Sequence, residues 1–151
     1  MKKFLYPLID SRFEKEEINA AIKVIKSKQL TISKITEKFE KRFAKFIGSK
    51  YAVMVNSGSS ANLLALSSFN FKKGSEIITP NLTFSTTVAP IYQLGLIPHF
   101  VGVEKNKFIT DPNHIEKCIN KKTVALMIPN LLGNIADWKK IYKIAKKHKL
   151  R

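Results

Sequence analysis

The segment Tyr51 to Leu66, YAVMVNSGSSANLLAL, constrains the fold more than any other stretch of the chain. An apolar run, a Ser/Gly break and an apolar segment at helical spacing follow one another with no linker between them. Tyr51–Val55 reads as a buried strand, Asn56–Gly58 turn the chain, and Ser59 or Ser60 opens a helix carrying Leu63, Leu64 and Leu66. Such a helix start presents unpaired backbone N–H groups, hydroxyls and the positive end of the helix dipole to a single anion, and phosphate fits best. The segment is not a Walker loop, because no Gly-Lys-Ser/Thr follows, and it lacks the GxGxxG spacing of a dinucleotide fold. Ser and Gly are also the ordinary residues of turns and caps, so the segment by itself leaves both readings open.

Strand and helix signals continue to alternate along the chain. Two helices precede the key segment. Glu14 to Lys28 places Ile18, Ala21, Ile22 and Ile25 on one face, with Asp10 or Ser11 near its cap. Thr36 to Ile47 carries Phe39, Phe43, Phe46 and Ile47 as a core-packing stripe and stops at Gly48. After the key segment, Glu76–Thr79 is a strand ended by Pro80, Asn81–Thr83 a polar loop, and Phe84 begins a segment closed by Gly95. Pro98–Val103 contains a strand. Asp111-Pro112 starts a helix with Ile115, Cys118 and Ile119 facing inward. Thr123–Pro129 is a strand, Asn130–Ala136 a loop and Asp137 to Lys149 a lysine-faced helix, after which another strand is expected to begin near Arg151. The pattern predicts an α/β fold, a mostly parallel sheet with flanking helices. Ligands of such sheets gather at the carboxyl ends of the strands, where Asn56–Ser60, Pro80–Phe84 and Asn130–Gly133 would converge.

Composition excludes several classes. The 151 residues are 44% hydrophobic and 25% charged, enough to bury one modest core. No apolar run approaches the roughly 20 residues of a membrane span, and MKKFLYPLIDSRF makes a poor signal peptide. One cysteine, Cys118, permits no internal disulfide and fits a reducing cytoplasm. The formal charge of +16 raises a nucleic-acid reading. Against it, 24 of the 27 basic residues are lysine and only 3 arginine, and they are dispersed. Lys139, Lys140, Lys143, Lys146 and Lys147 lie opposite Ile141, Ile144 and Ala145, as on a solvated helix face. No metal-ligand spacing joins His99, His114 and His148, and no GxSxG elbow is present.

Three stretches in order, FEKRFAKFIGSKYAVMVNSGSSANLLAL, GSEIITPNLTFSTTVAPIYQLGLIPHFVGVE and FITDPNHIEKCINKKTVALMIPNLLGN, resemble the DegT/DnrJ/EryC1/StrS family of pyridoxal-phosphate sugar aminotransferases. The resemblance implies the N-terminal part of the large domain of a fold type I transferase. It divides the chain into an N-terminal helical segment, 1–50, and an incomplete cofactor-binding α/β domain, 51–151. It further implies that Gly58, Ser59 and Ser60 hold the phosphate of pyridoxal 5'-phosphate and that Phe84 lies against the pyridine ring; an ordinary core aromatic is the alternative for Phe84. Asn130 stands where many relatives carry a histidine. The SGSSANLL and STTVAP forms lean towards the branch that contains sugar 3-dehydrases as well as aminotransferases.

Pyridoxal chemistry needs a carboxylate that keeps the ring nitrogen protonated and a lysine that holds the cofactor and moves a proton. The family's positions for both would fall beyond Arg151, and none of the 24 lysines matches. The expectation is therefore a nucleotide-sugar aminotransferase of polysaccharide or glycan synthesis, cytoplasmic, homodimeric when whole, using a nucleotide-linked keto-sugar and an amino donor, with neither nucleic acid nor membrane as partner. The 151 residues alone would be inactive and poorly soluble. A pyridoxamine-dependent 3-dehydrase with histidine in place of the lysine, and a non-catalytic remnant, are the alternatives.

Overall fold

The computed structural model describes residues 13–151, which form two compact units divided between Met54 and Val55. The first unit contains two helices. α1 (Lys15–Ser27) is opened by Glu14, whose carboxylate accepts from the backbone of Glu17, while the Glu17 carboxylate accepts from the Glu14 N–H at 2.9 Å. This reciprocal cap satisfies two of the donors that a helix start leaves open. Asp10 and Ser11, expected near this cap, lie outside the described residues. α2 (Lys34–Ile47) is capped by Ser33, which accepts from the Ile35 N–H at 3.3 Å, and ends at Gly48 with φ 74°. A left-handed terminus of this kind suits glycine.

The second unit runs α3 (Gly58–Ser67), β1 (Glu76–Pro80), α4 (Ser85–Gln93), β2 (Ile97–Val101), α5 (Pro112–Cys118), β3 (Thr123–Leu126), a 3-10 turn (Leu131–Gly133) and α6 (Trp138–Lys147). The three strands form a parallel sheet in the order β2-β1-β3. Side chains of a strand alternate between faces, so neighbouring Ile77 and Ile78 serve two separate cores. Ile77 packs with Leu66, Ile91, Leu96 and Ala125 beneath α3 and α4. Ile78 packs with Val101, Ile115, Ile128, Ala136 and Ile141 beneath α5 and α6. The register agrees: Ile77 pairs with Ala125 and Ile78 with Leu126, which joins the second cluster. Pro98, lacking an N–H, sits in β2 on the outer side of this three-stranded sheet, where a ladder donor can be spared. On the β3 side, Arg151 pairs with the strand: its N–H donates to Val124 O at 3.1 Å and its carbonyl accepts from Leu126 N–H at 2.8 Å.

Two sequence expectations fail. Tyr51–Val55 is not a buried strand: it joins no ladder among the described residues, Met54 N–H donates to Glu40 Oε1 at 2.7 Å, and Tyr51 is 75% exposed. Apolarity favours burial, but a strand exists only where a neighbour takes its hydrogen bonds. The α2 stripe is not core either. Phe39 and Phe43 stack on each other at 5.6 Å yet remain exposed, and Phe46 is 86% exposed. Two helices have no second layer of their own in which to bury a wide aromatic face, and only Ala44 of α2 is buried. Smaller differences concern element ends. β3 stops at Leu126 rather than Pro129, and the Asn130–Ala136 loop contains the 3-10 turn.

At the amino end of the sheet, Glu76 of β1 ties β2 to the loop that precedes β3. Its carboxylate accepts from Asn120 Nδ2 at 2.7 Å and shares a 3.2 Å contact with His99 Nδ1. These two hydrogen bonds, Asn120's first, hold the Glu76 carboxyl below its ordinary range. A depressed carboxyl contributes stability above its unfolded pKa and loses it as pH falls through the folded value. Urea midpoints should therefore fall as the pH is lowered below about 4.5, and Glu76→Gln should flatten that limb; an unchanged limb would remove the assignment. Ile77→Ala should cost about 2–5 kcal/mol by the same measurement.

Candidate functional site

The sheet reverses its winding direction between β1 and β3: the chain passes from β1 out to β2, then crosses to the other side of β1. The carboxyl ends of those two strands flank the crevice that such a reversal opens. Buried Thr79 spans them, its Oγ1 donating to Met127 O at 3.0 Å. The loop leaving β1 is held by Asn81, whose N–H donates to Val101 O at 2.9 Å, and by Thr83 Oγ1, which donates to Thr87 Oγ1 at 3.0 Å. Phe84 then caps α4 with backbone alone, and its ring is 69% exposed. Phe84 belongs to neither of the two core clusters of the described residues.

The turn before α3 is built from serines. Ser57, not Ser59 or Ser60, is the N-cap; its Oγ accepts from Ser60 N–H at 3.1 Å and lies 3.2 Å from Ser60 Oγ. Its carbonyl accepts from Ala61 N–H at 3.0 Å. The bond from Ala61 is the first ordinary helical one; of the donors that the helix start leaves open, Ser60 N–H is capped, while the N–H groups of Gly58 and Ser59 have no partner among the described residues. A Cβ added at Gly58 would meet nothing within 4 Å, so the protein's own packing does not demand glycine there and the space above the turn is free. Two open N–H groups, two hydroxyls and an unobstructed approach fit a phosphate group.

Ser59, Ser60 and Leu63 of α3 share a hollow of about 230 Å³ with Thr86, Pro90 and Gln93 of α4. The structure therefore brings the serines to α4, the helix that Phe84 opens, although Phe84 is not part of that lining. A larger hollow of about 900 Å³ is lined by α2 residues alone, Phe39, Phe43 and Phe46 among them, and is the open face of one helix rather than a cleft.

Asn130 is occupied structurally. Its Oδ1 accepts from Trp138 Nε1 at 2.9 Å and from Ala136 N–H at 3.2 Å, tying the loop after β3 to the start of α6. Within that loop Leu132 is left-handed at φ 53° and 80% exposed. Two contacts escaped sequence reasoning: the pair of hydrogen bonds that Asn130 Oδ1 accepts, and a hydrogen bond from Asn62 Nδ2 to Thr86 O at 3.1 Å. Pro90, inside the helix that follows Phe84, was the available signal for the second. Among the described residues no three His, Cys, Asp or Glu side chains gather as metal ligands, and no helix is long and apolar enough to cross a membrane.

The chain is similar in sequence and fold to several known proteins. GDP-4-keto-6-deoxy-D-mannose 3-dehydratase of Yersinia pseudotuberculosis is 39% identical over 145 residues, covering 92% of this chain and 37% of that protein. The Escherichia coli enzyme of the same name, solved with bound hydrated PLP, superposes with a TM-score of 0.89 at 38% identity over 96% of this chain and 39% of that one. The dTDP-3-amino-3,6-dideoxy-alpha-D-galactopyranose transaminase of Aneurinibacillus thermoaerophilus is 32% identical over 95% of this chain and 39% of its own length. The chain thus spans under two fifths of the relatives it matches. The model of one family matches residues 11–151, and with these likenesses it shows that the chain belongs to the DegT/DnrJ/EryC1/StrS aminotransferase family.

Proposed function

We propose that this chain contributes the phosphate cradle and ring-facing aromatic of an enzyme that uses pyridoxal 5'-phosphate on a nucleotide-linked keto-sugar, by amino transfer in polysaccharide or glycan synthesis. The observation that carries the reading is the start of α3. Two unpartnered N–H groups and two serine hydroxyls stand beneath open space at a helix terminus. Gly58 and Ser59 would donate N–H bonds to the phosphate, and the Ser59 and Ser60 hydroxyls would complete its shell. Phe84, exposed at the carboxyl end of β1, would lie on the pyridine ring, fix its plane and keep water from one face. Bound there, the cofactor supplies an electron sink for charge developing beside its nitrogen.

A second reading, 3-dehydration with the pyridoxamine form, is favoured by the higher identity to the two dehydratases, 38–39%, than to the transaminase at 32%. The carboxylate for the ring nitrogen and the proton-moving residue are assigned to neither unit. The exposed aromatic stripe of α2 supports a surface covered in the whole protein, consistent with a homodimer. Half-buried Cys118 supports a reducing, cytoplasmic setting.

Pyridoxamine 5'-phosphate is the suitable probe, because it cannot form imines with 24 surface-rich lysines. Calorimetry should show one site, with unphosphorylated pyridoxamine binding at least tenfold more weakly. Ser59→Ala combined with Ser60→Ala should weaken binding about tenfold, as loss of two hydrogen bonds to a charged group requires. Equal affinity for the two probes would overturn the cradle. The 151-residue chain should turn over no nucleotide sugar; product formation with an amino donor would show that the missing groups lie within it.

A further inference from the structure

α4 contains a defect that its partner helix repairs. Pro90 lies inside α4 and is buried. Having no N–H, it cannot donate to the carbonyl four residues earlier, that of Thr86. A carbonyl deprived of its helical donor and withdrawn from water needs another one. Asn62 supplies it. Its Nδ2 donates to Thr86 O at 3.1 Å across a partly buried gap, 24 residues away in sequence. Asparagine is a poor choice for a helix interior on propensity alone, and Asn62 stands at the fifth position of α3. That position is one turn from Ser57–Ser60, and Thr86 is one residue inside the helix that Phe84 caps. Thr86 and Pro90 line the same hollow as Ser59 and Ser60.

We propose that Asn62 is a positioning residue: by donating to the carbonyl that Pro90 leaves unpaired, it sets the serine turn of α3 at a fixed distance from the aromatic cap of α4. Pro90 creates the requirement and Asn62 meets it, so the two act as one device. The proposal rests on the phosphate-cradle reading for its functional consequence but not for its physical basis. A helix pair held by apolar contacts alone can slide; Leu66 and Ile91 share a core without fixing a register. A directional hydrogen bond to one named carbonyl fixes it.

The test is a double-mutant cycle on the full chain with Asn62→Ala and Pro90→Ala. Alanine at 90 restores the N–H to Thr86 O, which should make Asn62 dispensable. In the unsubstituted background, Asn62→Ala should lower the urea midpoint and weaken pyridoxamine 5'-phosphate binding about fivefold or more, the scale of one hydrogen bond. In the Pro90→Ala background the same change should alter binding less than twofold and leave the midpoint nearly still. Equal effects in both backgrounds would overturn the device. If Asn62→Ala alone does not fold, a folded double variant supports the proposal and an unfolded one overturns it. The denaturation arm uses no ligand. A chain that fails to bind the probe but shows the coupling therefore refutes the cradle and upholds the Asn62–Pro90 pair.

Discussion

Everything in the α/β unit depends on the burial of β1 from both sides. Ile77 and Ile78 are each fully withdrawn from solvent, one into each helical layer. That arrangement is possible only for a strand with neighbours on both edges and helices on both faces, and β1 has all four. Burying two such side chains contributes on the order of 3–6 kcal/mol of transfer free energy. The same centrality fixes where a crevice can open. Because the chain goes one way from β1 to reach β2 and the other way to reach β3, the loops after β1 and β3 are driven apart, and the crevice opens there. Thr79, buried near the carboxyl end of β1, bonds across to Met127 O.

The fold was legible in the sequence wherever a signal was local. Asp111-Pro112 announced α5, and the structure has Asp111 as N-cap, accepting from Asn113 N–H at 2.9 Å, with Pro112 in the first turn. Gly48 and Gly95 marked chain reversals at positive φ. Legibility failed where the outcome depended on a distant partner. Tyr51–Val55 and the α2 aromatics have the composition of buried elements, but burial is a property of pairs. No local pattern states which neighbour will arrive. The candidate site divides along the same line. That a helix opens after the Asn56–Gly58 turn, at Ser59 or Ser60, could be read from the chain to within a few residues. That Ser57 rather than Ser59 takes the cap, leaving Ser59 free, is decided by which N–H each hydroxyl can reach. The exposure of Phe84 is likewise a consequence of its place after β1, since its apolar side chain alone would argue for the interior.

Asn130 shows how one side chain can hold a loop in place. A residue with a carboxamide oxygen can accept two bonds at once, and here both go to the protein, from Trp138 Nε1 and Ala136 N–H. The loop after β3 is therefore anchored to α6 by this side chain. Within the loop, exposed Leu132 is held in a left-handed conformation next to Gly133 at φ 80°. Backbone in that region costs a non-glycine residue roughly 1 kcal/mol or more, so the surrounding hydrogen bonds, including Asn134 Nδ2 to Leu131 O at 2.9 Å, must hold it there.

The charge of the chain and the chemistry of its cradle are separate matters. The net charge of +16 resides on dispersed, mostly exposed lysines, yet the hollow beside Ser59 and Ser60 is lined by Leu, Thr, Ala, Pro and Gln and contains no charged side chain. An anion bound there would be held by N–H dipoles and hydroxyls, whose strength depends on short, fixed geometry rather than on a diffuse field. Surface charges separated from the turn by more than a Debye length, about 8–10 Å at physiological salt, are largely screened. A phosphate in this cradle is thus distinguished from a polyanion spread over the lysine faces: the first depends on the register of α3 and little on ionic strength, the second on ionic strength and hardly at all on register. Under the proposed reading the serine turn would select a single phosphate by shape, and the dispersed lysines would add no directed contact to it.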